Sequence, residues 1–139
     1  MTETGILNRD IAAQISRMGH GDMLIIADAG LAIPKTTEVI DLSIKQNDPT
    51  VLHVLDELLE HFSVEKIILS QPITEVNPSR EKEFRTRFDS DVVVEIVPHE
   101  LLCEDLTRQV KFVIRTGDFT AFSNIVLVSA GGPRWYCEN

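Results

Sequence analysis

The sequence predicts an α/β fold: a single-domain layered arrangement over residues 1–131, with a mainly parallel central sheet flanked by helices, and a C-terminal tail over 132–139. Three features carry that expectation. Met23-Leu24-Ile25-Ile26-Ala27 is a continuous apolar run between polar and glycine residues, the pattern of a strand buried on both faces. Val51, Leu52, Val54, Leu55, Leu58, Leu59 and Phe62 make one apolar stripe at helical spacing. Segments of these two kinds alternate along the chain, as they do where helices connect parallel strands.

In chain order, Asn8 can cap a helix over residues 9–18, where Ile11, Ile15 and Met18 share a face. Gly19 suits the left-handed position past that helix, which leaves His20 in a tight connection into the strand at 23–27. Gly30 and Pro34 punctuate the loop that follows, and residues 38–42 read as a short second strand. Asp48-Pro49 leads into the striped helix at about 50–61. Residues 64–69 read as a buried strand, followed by a polar loop with Pro72 and Pro78 and a charged helix near 80–88. A strand at 92–97, a helix opened by Pro98, and strands at 111–115 and 124–129 complete the core. Gly131-Gly132-Pro133 then releases the chain before Trp135 and Tyr136.

Composition narrows the function classes. With 43% hydrophobic and 25% charged residues, the chain has the makeup of an ordinary globular protein. The formal net charge of −9 argues against nucleic-acid binding, which needs clustered Lys and Arg. No apolar run approaches the ~18–20 residues of a membrane span, and no basic-then-apolar leader pattern opens the chain, so a cytoplasmic location and no membrane partner are expected. Cys103 and Cys137 lack metal-ligand spacing, and in a reducing compartment both stay thiols.

Several residues can do chemistry. His20 carries the side chain whose ordinary pKa lets it give and take a proton near neutrality, or it is a turn histidine bonded to backbone. Asp28 stands where the buried strand runs out, the usual place for a ligand in an open α/β sheet, although Asp before a glycine-containing turn is also a turn former. His99, just after a strand, can project to the same sheet edge, and Asn124 offers an acceptor and two donors suited to a polyol or to tying down a turn. Cys103, four residues after His99, can share its helical face, with a buried thiol as the simpler reading. His53 and His61 read as surface groups, and His20 with Asp22 lacks the further ligands of a metal site. Signatures of nucleotide-binding loops and serine hydrolases are absent from the sequence.

A set of motifs, met in order, goes further. Gly5-Ile6-Leu7-Asn8, Gly19-His20-Gly21-Asp22, Asp28 through Pro34, Ile40-Asp41-Leu42, Pro98-His99-Glu100 and Ile114 through Gly117 to Ser123-Asn124-Ile125 resemble the D-ribose pyranase family, sugar mutarotases related to L-fucose mutarotase. The resemblance spans roughly residues 5–131. It implies an enzyme that interconverts cyclic forms of D-ribose or a related monosaccharide, with no cofactor and no metal. By position, His20 matches the family's catalytic acid, while Asp28, His99 and the run Phe122-Ser123-Asn124 match substrate contacts. It also implies self-association into a ring-like homo-oligomer with sites built between neighbouring subunits.

The chain departs from that pattern in three places. Phe122 stands where the family generally carries tyrosine, Cys103 where it often carries lysine, and the Trp135-Tyr136 tail extends past the usual ending. These departures leave a second expectation, a non-catalytic sugar-binding or regulatory oligomer on the same scaffold.

Overall fold

The computed structural model describes residues 1–138. Its elements follow the predicted order. Helix α1 (Arg9–Ser16) is capped by Asn8, whose Oδ1 accepts from the backbone N–H of Asp10 and of Ile11, both at 3.0 Å. Strand β1 (Met23–Ala27) and the short β2 (Val39–Asp41) follow. Helix α2 (Val51–Leu59) is capped by Thr50, which accepts from His53 N at 3.2 Å. Then come β3 (Val64–Ser70), α3 (Ile73–Val76), α4 (Pro78–Arg85) and β4 (Val93–Val97).

Three local expectations are corrected. The loop between Pro72 and Pro78 contains the helical turn α3, because Pro72 and Pro78 each suit a helix start and neither needs to break one. The helix after Pro98 is interrupted: α5 (His99–Leu101) widens into a π-helical turn (Leu102–Leu106) before α6 (Thr107–Gln109). Thr107 Oγ1 donates to the Cys103 carbonyl at 2.6 Å inside that widened turn. Gly19 is not left-handed. Helix α1 ends at Ser16, so the reversal falls later, at Gly21, with φ of 86°.

Strands β5 (Phe112–Arg115) and β6 (Ile125–Ser129) complete the sheet. Among the described residues it has six strands in the order β2-β5-β1-β6-β3-β4. Pairs β1/β5, β2/β5 and β3/β4 are parallel, and β6 runs antiparallel to both β1 and β3. The sheet is therefore mainly parallel, and the start of β6 lies at the same edge as the ends of the other five strands.

Alternation along the strands divides the core. Leu24 and Ile26, Ile67 and Leu69, Phe112 and Ile114, and Ile125 and Leu127 face one side, where Ile11, Val54, Leu55, Leu58 and Phe84 of the helices cover them. Ile25, Ala27, Ile68, Val113 and Val126 face the other, against Leu102 and Leu106 of the interrupted helix. Burying every β1 side chain from Leu24 to Ala27 contributes roughly 1.5–3 kcal/mol for each large one. No described helix is long and apolar enough to cross a membrane.

Candidate active site

At the edge where β1, β4 and β5 end and β6 begins, a cleft of about 590 Å³ opens, and Asp28, His99, Cys103, Arg115, Phe122 and Asn124 are among its lining residues. Asp28 is the first residue past β1 and is buried. Its backbone N–H donates to Asn124 Oδ1 at 2.9 Å, and Asn124 Nδ2 donates back to Asp28 Oδ2 at 3.3 Å. Gly30 N donates to Asp28 Oδ1 at 3.0 Å. Burial pushes the Asp28 carboxyl above its ordinary value, outweighing the stabilising N–H donors of Gly30 and Leu31, and the negative charge of Asp118 adds to the rise.

The chain between β5 and β6 supplies the opposite wall. Thr116 Oγ1 donates to Ala27 O at 2.8 Å, and Ala29 N donates to Asp118 O at 2.9 Å, so this segment is stitched to the exit of β1. Asp118 is 1% exposed and accepts from Arg80 Nη1 at 2.7 Å, Val51 N at 2.9 Å and Thr120 N at 2.9 Å. Burial alone would raise its pKa. The two backbone donors and the Arg80 guanidinium outweigh that and hold it below the usual carboxylate range. Gly117 is required here, since a Cβ would lie 2.3 Å from the Lys45 carbonyl oxygen. Phe122 adopts a left-handed backbone, φ 61°, on the cleft wall.

His99 sits at the end of β4. Its ring meets Phe122 edge-on, with centroids 4.9 Å apart at 88°, and its Nε2 lies 3.2 Å from Cys103 Sγ. Its buried Nδ1 has no hydrogen-bond partner among the described residues. Cys103 is thus no core thiol. It is half-buried on the cleft wall because the helical offset of four residues puts it over His99. Burial, with Asp28 and two glutamates nearby, pushes its thiol pKa up, so it stays protonated at neutral pH.

His20 is elsewhere. It precedes β1 while Asp28 follows it, and the strand between them, at ~3.3 Å per residue, separates the two by roughly 17 Å or more. Its side chain is 72% exposed, with Nε2 3.1 Å from Glu65 Oε2. One chain therefore brings together Asp28, His99, Phe122 and Asn124 and leaves His20 at the opposite edge. Ser123, between Phe122 and Asn124, turns its side chain away from the cleft. It is fully buried and its Oγ accepts from Arg80 Nη1, away from the cleft lining.

Residues 1–131 match the model of the RbsD / FucU transport protein family. The chain belongs to this family. Its relatives include a D-ribose pyranase of Streptococcus uberis, 46% identical over 129 residues, which are 93% of this chain and 97% of that protein. A D-ribose pyranase of Pseudothermotoga lettingae is 35% identical over 138 residues, 99% of this chain and 96% of its own length. Among solved structures, Bacillus subtilis RbsD complexed with D-ribose superposes with a TM-score of 0.89 at 37% identity, covering 94% of this chain and 98% of that one. The fucose mutarotase of Streptococcus pneumoniae, in complex with L-fucose, shares the fold, with a TM-score of 0.72 at 17% identity over 91% of this chain and 94% of its own.

Within this member of the RbsD / FucU family, sequence reasoning passed over Arg115, Asp118 and Arg80. Arg115, the last residue of β5, donates from Nε and Nη2 to the Ala29 carbonyl and from Nη1 to Asp41 and Ser43, fixing the loop that carries Asp28. The signal for Arg115 was present: a charged residue ending a buried strand parallel to β1 must emerge at the same edge. Arg80 had none, since its partners lie 38 and 43 residues away on another element.

Proposed function

We propose that this protein is a pyranase or mutarotase, interconverting cyclic forms of D-ribose or a related monosaccharide in the cytoplasm by acid/base ring opening and closure. The observation that carries the reading is the separation of the proton carrier from the cleft. Asp28, His99, Phe122 and Asn124 line a pocket within the ~300–1,000 Å³ range of small-molecule sites, while His20 stands exposed at the far edge of the same sheet. A second copy docked edge to edge brings its His20 to this pocket. Such a head-to-tail contact uses two different surfaces, and repeated with a closing rotation it makes a ring.

The chemistry fits the groups. Opening a cyclic hemiacetal removes the anomeric hydroxyl proton and protonates the ring oxygen; closure through another hydroxyl, or onto the other face, gives the isomer. The C1–O bond breaks and re-forms with proton transfers and no change of oxidation state, so the reaction asks for no redox cofactor. Asp28 and Asn124 hold sugar hydroxyls, and the His99–Phe122 pair gives the apolar ring face a wall. Ser123 supports the site from behind through Arg80. The D-ribose complex of the Bacillus subtilis relative supports a pentose as the ligand.

Phe122 and Cys103 favour one competing reading, sugar binding without catalysis, because the first lacks a hydroxyl and the second a positive charge. Exchange spectroscopy on D-ribose separates the two. The intact protein accelerates exchange between pyranose and furanose signals, and His20→Ala abolishes the acceleration while the fold survives. Mixing His20→Ala with Asp28→Ala after co-refolding restores roughly a quarter of the activity, since random pairing leaves that share of shared sites intact. Saturable binding with no accelerated exchange would overturn the catalytic reading.

A further inference from the structure

We infer that Asp28 is the general base of the cleft, taking the anomeric hydroxyl proton as the sugar ring opens and returning it as the ring closes, beyond merely holding a hydroxyl. This rests on the pyranase reading above. Ring opening needs two proton sites: one accepts the hydroxyl proton while the other donates to the ring oxygen. His20 brought by a second copy supplies one, so the complementary group must come from the cleft itself.

The titratable groups facing Asp28 are Asp118 on the β5–β6 segment, Arg115 at the end of β5, and His99 and Cys103 on the interrupted helix. Each is excluded as the acceptor by its contacts. Asp118 is saturated by Arg80, Val51 N and Thr120 N, and its depressed pKa makes it a poor base. Arg115 is a cation whose guanidinium is bound to Ala29, Asp41 and Ser43. His99 has Nε2 against Cys103 and Nδ1 sealed from solvent. Cys103 is a neutral thiol at neutral pH, already engaged with His99.

Asp28 differs from all four. Its carboxylate lines the cleft, its Oδ1 accepts from Gly30 N at 3.0 Å, and its Oδ2 faces Asn124 Nδ2 at the longer distance of 3.3 Å. Oδ2 thus keeps acceptor capacity for an incoming hydroxyl. Burial raises the carboxyl's pKa, which strengthens it as a proton acceptor. In the step itself, the anomeric O–H proton passes to Asp28. The C1–O ring bond breaks with its electron pair moving to the ring oxygen, that oxygen takes a proton from the imidazolium of His20, and C1 becomes the open-chain aldehyde. Closure through a different hydroxyl runs the same transfers in reverse, so both groups return to their starting states.

The test is exchange spectroscopy on the assembled protein with D-ribose across pH, alongside calorimetric sugar binding. Asp28→Asn, nearly isosteric, lowers the exchange rate by about 100- to 10,000-fold, leaves the binding constant within a few-fold, and removes the acidic limb of the rate profile. Asp28→Ala regains at least tenfold in rate on adding formate, which a group that merely positions sugar would not allow. An Asp28→Asn protein that keeps the wild-type rate and acidic limb but binds sugar weakly would reduce Asp28 to a hydroxyl holder and overturn the inference. A wild-type protein with no accelerated exchange would instead sink the pyranase reading, and the base with it.

Discussion

Replacing Arg80 with methionine tests the frame behind the cleft. The guanidinium is 12% exposed and faces an Asp118 carboxylate that is 1% exposed. The substitution keeps the length of the stem and its packing near Phe84 but leaves a buried carboxylate with two backbone donors and no counter-charge. Breaking a buried pair from one side costs about 3–5 kcal/mol. With an unfolding entropy of ~2.1 cal/mol/K per residue, the 139-residue chain should lose ~10–17 °C in melting temperature. Asp118 is held below its ordinary pKa in the folded state, so its contribution is present above the unfolded value and is lost as pH falls through the folded one. The gap between variant and parent should therefore narrow in acid. Calorimetry at neutral and acidic pH measures both effects. Arg80→Met/Asp118→Asn should recover a large part of the loss, since it removes the stranded charge. A neutral-pH shift under ~3 °C would show that the pair does not hold the segment together.

Other expectations follow from the same contacts. Asp28 has a raised pKa, so the folded state holds more protons than the unfolded one between the two values, and stability falls as pH rises through the folded value. Asp28→Asn should consequently melt higher than the parent at neutral pH, with the difference vanishing below the ordinary carboxylate range. Gly117→Ala drives a Cβ to 2.3 Å from Lys45 O and 2.9 Å from Asp48 O, both backbone atoms, and should cost about 1–3 kcal/mol with weakened sugar binding, measured by denaturant titration and calorimetry. Trp135 and Tyr136 are 80% and 87% exposed and lie near the His20 edge, where Ala130 N donates to Ser63 O. Deleting residues 133–139 should weaken assembly or sugar binding, read by sedimentation and calorimetry, while leaving the melting of the isolated fold unchanged. Asn139 of that tail lies outside the described residues.

The sheet was legible in the chain because its strands are short apolar runs, and a side chain's face follows from counting by two. Leu24 and Ile26 on one side and Ile25 and Ala27 on the other need no long-range information. The cap Asn8 is equally local, as is the apolar stripe of α2. Where local rules compete, spacing along the chain does not choose between them. Gly19 and Gly21 both suit a left-handed turn, and the end of helix α1 chose between them. The π-helical turn has no pattern of its own, because it depends on how Leu102 and Leu106 seat against the sheet.

By itself, then, the sequence determined the elements, their faces and the residues that can move protons or hold hydroxyls, since these follow from side-chain chemistry and spacing along the chain. Only the tertiary structure decided which of those residues meet. Asp28 and Asn124 are 96 residues apart and bonded, whereas His20 and Asp28 are near in sequence and sit at opposite ends of a rigid strand. The extended backbone is the physical reason: β1 rises ~3.3 Å with each residue, so closeness in the chain becomes distance in space, while the pairing of β6 beside β1 turns remoteness in the chain into contact.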